Sequence, residues 1–278
     1  MNERFEFPAR LKKTSIALMV VGLLVLIIGG VTMLGSDDHN AQTRFWITLL
    51  QTSVFFLLIT VVSVFVQAAA SLAQGGWIVA YKRVPEAIGA NVWIFGIIAG
   101  VVLLYIAFGL NIGGHNPIYH WVHPEGDALL EGKSGFLNKG MFAGFTIVTI
   151  AAWAFFGRKF RALSLAQEKA PKNSTKIYWT MFKWSAGFLF VYALTQMSTT
   201  PWMWIMSIDA HWYSTMFSWY NFASAFVSGM SVIMLFVLTI KNHGHFELVS
   251  KEHIHDLGKF MFAFSVFWTY VWFDQYML

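Results

Sequence analysis

Trp212-Tyr213-Ser214-Thr215-Met216-Phe217-Ser218-Trp219-Tyr220-Asn221-Phe222-Ala223-Ser224-Ala225-Phe226-Val227-Ser228-Gly229-Met230-Ser231 is the stretch that decides how this chain is read. Ser214, Ser218, Asn221, Ser224, Ser228 and Ser231 recur at intervals of 4, 3, 3, 4 and 3, so a helix places all six on one face. The rest of the stretch is mainly Phe, Trp, Ala, Val and Met, long enough to span a bilayer. A second membrane-length segment follows, with His253, His255, Asp256 and Lys259 near one end and Asp274 and Gln275 near the other. Ionisable groups inside or just under a bilayer cost several kcal/mol unless paired or hydrated. The pair of segments therefore predicts an intramembrane polar pathway.

Composition agrees with a membrane protein. The chain has 278 residues, 57% of them hydrophobic and 12% charged, about half the charged share of a soluble domain. Its mean hydropathy is +0.57. The sequence predicts an all-α, polytopic transmembrane helical bundle with seven spans, near 14–34, 45–73, 87–110, 137–157, 176–198, 211–240 and 252–278. Three units are expected: 1–43, a cytoplasmic N-terminus and peripheral span one; 44–199, a four-helix bundle; 200–278, an interfacial helix and two further spans.

The net charge of +5 does not indicate nucleic acid, because its distribution is topological. Arg4, Arg10, Lys12, Lys13, Lys82, Arg83, Arg158, Lys159, Arg161, Lys169, Lys172, Lys176, Lys241, Lys251 and Lys259 fall on one side of the seven-span arrangement. Only Arg44, Lys133 and Lys139 fall on the other, and Lys183 lies inside span five. The bias places the N-terminus in the cytoplasm. Span one is too long for a signal-peptide core and is expected to be retained.

The absence of Cys excludes disulfides, iron–sulfur clusters and c-type haem attachment on this chain. All nine His lie in loops or at helix ends, whereas a membrane dihaem centre needs them deep in facing helices. No cofactor or metal is expected here. His120 and His123 with Glu125 have donor chemistry for a metal, but their spacing fits no structural site, and the segment 111–135 reads as a wet extracytoplasmic loop. The basic segment 158–175, with Pro171 and Asn173, reads as a cytoplasmic connector whose cluster sets topology rather than binding an anionic lipid head group.

Several local features carry expectations. Ser53, Thr60, Ser63, Gln67, Ser71 and Gln74 give span two its own polar face, and Gly96 and Gly100 allow a neighbour to approach span three closely. Thr200 and Pro201 suit the start of a short helix, with Trp202, Trp204 and Trp212 at the membrane interface. Asp209 is placed to cap span six and Ser250 to cap span seven. Asp256 and Asp274 lie five helical turns apart on one face, and Lys259 is within side-chain reach of both His255 and Asp256, the latter as an ion pair. Lys183 either snorkels to the surface or pairs with an acid from another span.

Two stretches carry a resemblance. Trp212 to Tyr220 with Ala223 to Gly229, and His253-Ile254-His255-Asp256-Leu257-Gly258-Lys259 with Phe262 to Trp268, resemble a membrane subunit of bacterial alternative complex III. The run Gly76-Trp77 through Arg83-Val84-Pro85-Glu86-Ala87 is similar to the matching turn of that subunit. The family belongs to the group related to the polysulfide reductase membrane subunit. The resemblance implies ten spans in two four-helix bundles, so this chain is expected to be part of a longer product.

It also implies a respiratory quinol:cytochrome c or quinol:acceptor oxidoreductase in the bacterial inner membrane. Haem c and iron–sulfur clusters would sit on partner subunits, a terminal oxidase would be a further partner, and the fold leaves room for a quinone. This subunit would supply proton translocation and anchor its partners among membrane lipids. Under that reading Glu86, His255, Asp256 and Lys259 form the cytoplasmic mouth of a proton path. Ser228, Ser224, Asn221, Tyr220, Ser218 and Ser214 hold water in its middle, and Asp209, His211 and Asp274 lie toward the far side. Lys183 is a further candidate. A purely structural anchor and a secondary transporter stay open from sequence.

Overall fold

The computed structural model describes residues 8–124, 126–171 and 174–277. Arg4, Glu125, Lys172 and Asn173, invoked above, lie outside the described residues. Among those described, the chain is helical, without a strand; a lone bridge joins Ile112 and His115.

The helices are α1 (Ala9–Leu34), α2 (His39–Leu72), α3 (Arg83–Gly89), α4 (Val92–Phe108), α5 (Ala128–Gly132), α6 (Lys139–Lys169), α7 (Lys176–Leu194), α8 (Met216–Asn242) and α9 (Lys251–Met277). Five helices are long and apolar enough to cross a membrane: α1, α2, the continuous pair α3–α4, α6 and α8. The expected seven also included α7 and α9. These are less apolar, because α7 carries Lys176 and Lys183, and α9 opens on Lys251, Glu252, His253, His255, Asp256 and Lys259.

α2 is the axis of the bundle. Leu57, Val61, Val62, Val64 and Ala68 are fully buried along it, and it packs against α4, α7 and α8. Its polar face turns inward, and Ser53, Thr60 and Ser63 satisfy their hydroxyls by donating to carbonyls three or four residues back. α1 buries none of its residues and rests chiefly on α2.

Glycines set how closely the helices meet. A Cβ on Gly96 would lie 2.5 Å from Ile150 Cγ2 of α6, as the spacing of Gly96 and Gly100 leads one to expect. A Cβ on Gly157 would lie 2.4 Å from the Gly89 carbonyl oxygen, which locks α6 against the end of α3.

After α7 the backbone departs from α geometry. Thr195–Thr199 and Pro201–Ile205 form π turns, and Met206–Asp209 a 3₁₀ turn. Pro201 has no N–H to give and its ring crowds the preceding turn, so a helix running through it must widen or break. Two indoles latch the irregular segment to α6. Trp153 Nε1 donates to Thr195 Oγ1 at 2.9 Å, and Trp204 Nε1 donates to Thr146 Oγ1 at 3.0 Å. The Tyr119 hydroxyl adds a bond to the Trp204 carbonyl at 2.8 Å.

Three expectations are corrected here. Thr200 is helical and caps nothing, because Pro201 continues the widened helix instead of starting a new one. Trp204 is buried rather than interfacial, since Thr146 inside the bundle supplies its N–H partner. Asp209 ends the 3₁₀ turn and does not cap α8, which begins only at Met216 after a loop. Ser250 does cap α9, accepting from the His253 backbone N–H at 3.4 Å.

Candidate functional site

A buried polar surface runs along α7 and its π continuation. Ser185, Tyr192, Gln196 and Thr200 follow one another at intervals of 7, 4 and 4, so the helix and its π continuation turn them to one side. All four are buried, and Ser185 Oγ, Tyr192 OH, Gln196 Oε1 and Thr200 Oγ1 have no hydrogen-bond partner among the described residues. Tyr178, one heptad before Ser185, continues the face to the start of the helix. From Tyr178 to Gln196 the rise is about 27 Å at 1.5 Å per residue, close to the thickness of a hydrocarbon core.

α8 meets this face through an amide pair: Gln196 Nε2 donates to Asn221 Oδ1 at 2.9 Å. Ser218, one turn before Asn221, is buried and its hydroxyl also lacks a partner. The Tyr192 ring is packed among Phe65, Phe188 and Phe222, with centroids 4.8, 5.6 and 6.2 Å away. A cavity of about 340 Å³ is lined by Asn221 together with Gln51, Phe55, Trp204, Ile208, Ser224 and others.

At the Tyr178 end the polar face opens into a cavity of about 240 Å³, lined by Gln67, Ser71, Gln74, Lys82, Glu86, Ser164, Gln167 and Tyr178 among others. Its one buried charge is Glu86, whose side chain is 4% exposed. Arg83 Nη1 lies 2.6 Å and Arg161 Nη1 3.2 Å from Glu86 Oε2, and Ser164 donates to Oε1. Arg83 also pairs with Glu168 through its other terminal nitrogen. Two guanidiniums and a hydroxyl thus stand around the buried carboxylate in place of water.

The stripe on α8 divides. Ser224, Ser228 and Ser231 donate back to carbonyls of their own helix, at 3.0, 2.8 and 2.8 Å, which is how a hydroxyl sits in an apolar helix without a partner chain. Ser214 is half-buried at the loop, and the Tyr220 ring packs on Trp268 of α9. Ser218 and Asn221 are the buried members of the stripe, and Asn221 bonds the π continuation of α7 through Gln196.

The remaining candidates lie at the surface. Lys259 pairs with Asp256 at 3.1 Å, with side chains 61% and 39% exposed, and His255 is exposed beside them. Asp274 is half-buried near the end of α9. Asp209 is exposed, and His211 is held by Asp127 across the loop at 2.6 Å. Lys183 is exposed on the outer face of α7 and makes no ion pair among the described residues.

Two groups outside the spans titrate away from their ordinary values. Burial, and then the charge of Asp256, push the Tyr81 phenol up. Asp127 is held below the usual carboxylate range, first by the Leu130 backbone N–H and then by the His211 side chain and the Leu129 N–H, against some desolvation.

The chain has no Cys, and no three His, Asp or Glu side chains are grouped to hold a metal among the described residues. Sequence reasoning passed over Tyr178, Ser185, Tyr192 and Gln196, although their shared helical face was available as a signal. Compared with known proteins, the chain matches no protein-family model and no curated protein.

Proposed function

We propose that this chain is a seven-span, cofactor-free subunit of a quinol-oxidising respiratory complex of the alternative complex III type, in the bacterial inner membrane with its N-terminus cytoplasmic. In this reading α7 with its π continuation and α9 also cross the bilayer, turning exposed apolar side chains such as Phe190 and Phe262 toward lipid. The chain anchors partner subunits and conducts protons through its interior. The family resemblance supports the complex, and the charge bias supports the orientation.

The observation that carries proton conduction is the run of buried, unpartnered polar atoms from Ser185 to Thr200. Buried polar groups in native proteins are almost always satisfied, and where protein does not satisfy them ordered water does. A file of such water, leading from the cavity at Glu86 to the Gln196–Asn221 pair, passes protons across a low-dielectric layer where no side chain could carry a lone charge. The Asp256–Lys259 pair is outside this file.

A second reading, secondary transport, has one observation in its favour. The helix is discontinuous at 195–209 beside a polar pair, as helices at transporter binding sites are.

Tyr192→Phe tests the proposal, because it removes one hydroxyl and keeps the ring in its aromatic cage. The purified complex in proteoliposomes should assemble and oxidise quinol normally, with a lowered proton-to-electron ratio. An unchanged ratio would return the α7 face to a structural role.

A further inference from the structure

The outer surface of α6 carries a groove of about 480 Å³, lined by Ala151, Ala154, Phe155, Arg158, Lys159 and Ala162. These positions form one helical stripe, and it lies between α4 and α7, the helices on either side of α6. The alanines keep the floor low. At its head the two cations are drawn apart. The Arg158 guanidinium sits 5.1 Å from the Trp93 ring of α4, and the Lys159 ammonium 5.0 Å from the Trp184 ring of α7.

Neither cation pairs with a carboxylate among the described residues, whereas Arg161, one turn on and facing inward, is answered by Glu86. An indole face orients a cation without neutralising it. The outer head of α6 therefore keeps two positive charges.

Depth supplies the second argument. Nineteen residues separate Lys139 from Arg158, which is about 28 Å along the helix. That is close to the ~30 Å of a hydrocarbon core. Lys139 marks the opposite boundary, its ammonium over the Phe108 ring at 6.0 Å. The alanine floor thus lies at acyl depth and the two cations at phosphate depth.

We propose that this groove is a binding site for an anionic phospholipid, independent of any proton path. The planar guanidinium of Arg158 and the point charge of Lys159 take the headgroup phosphate from two sides, while one acyl chain lies along Ala154 and Ala151.

The test is native mass spectrometry of the full chain in neutral detergent, titrated with phosphatidylglycerol or with phosphatidylcholine of the same acyl chains. Phosphatidylglycerol should be retained about tenfold better. Arg158→Gln with Lys159→Gln should abolish that preference at unchanged melting temperature. Ala154→Leu, which fills the floor and leaves both charges, should weaken retention, and Lys169→Gln with Lys176→Gln should not. Equal retention of the two lipids, or a preference that survives the double substitution, overturns the proposal. So does displacement by millimolar inorganic phosphate, which would identify a free-anion site, or an Ala154→Leu variant that binds normally, which would remove the acyl chain from the groove.

Discussion

Glu86 and Asp256 stand on the same side of the bundle, each three residues from a cation on its own helix, and they are opposites. Glu86 is 4% exposed and is held by Arg83, Arg161 and Ser164 from two helices. Asp256 is 39% exposed, and its one ion pair among the described residues is with Lys259 of its own helix. The same chemical pattern is a buried junction in one place and a solvated helix end in the other. What separates them is whether another helix closes over the carboxylate, and here α6 does so for Glu86 by coming into backbone contact at Gly157 and Gly89.

The sharpest way to break this contrast is to remove each acid in turn. Glu86→Ala leaves Arg161 without its carboxylate and Arg83 with Glu168 alone, both partly exposed, and should destabilise the chain by about 2 kcal/mol, read as thermal unfolding in detergent. A loss near that of a surface pair would mean that water reaches Glu86 freely. Gly157→Leu attacks the contact that buries it. A side chain there meets the Gly89 carbonyl oxygen, which cannot move aside, so a cost of about 2 kcal/mol is expected. Arg161 should also become accessible to guanidine-directed labelling.

Smaller effects sharpen the comparison. Gln196→Leu deprives Asn221 of its amide donor and should cost about 1 kcal/mol. Asp256→Asn removes an exposed pair and should cost well under 1 kcal/mol. The smallest change belongs to the exposed Asp127–His211 pair. Since Asp127 titrates below its ordinary range, its contribution is present above the ordinary carboxylate pKa and is lost as pH falls through its lowered one. His211→Gln should lower the melting temperature slightly at neutral pH and flatten the acid limb, because the part of the contribution that His211 supplies is present there and vanishes only on acidification.

Much of the bundle was legible in the sequence, because apolar helices of membrane length and close-packing glycines are local properties. That a helix comes close at Gly96 and that Ser250 caps α9 follow from spacing alone; that the close neighbour is Ile150 of α6 does not. The widened helix at 195–209 was not legible. Pro201 looks equally like a start and an interruption until Trp153 and Trp204 are seen to hold the segment in register. The site was half legible. The α8 stripe drew attention through its six polar residues, yet three of its serines are satisfied within their own helix. The α7 face is sparser, and its meaning comes from the partners its side chains lack, which only tertiary packing determines.

The most direct measurement compares two variants of the quinol-oxidising complex containing this chain, reconstituted in proteoliposomes: Gln196→Leu, within the α7 face, and Asp256→Asn, at the α9 mouth. Proton-to-electron ratios are read at matched assembly and turnover. The expected result is a lowered ratio for Gln196→Leu and an unchanged one for Asp256→Asn. A normal ratio for Gln196→Leu with a lowered one for Asp256→Asn would contradict conduction along α7 and return the proton path to the surface-proximal residues of α9.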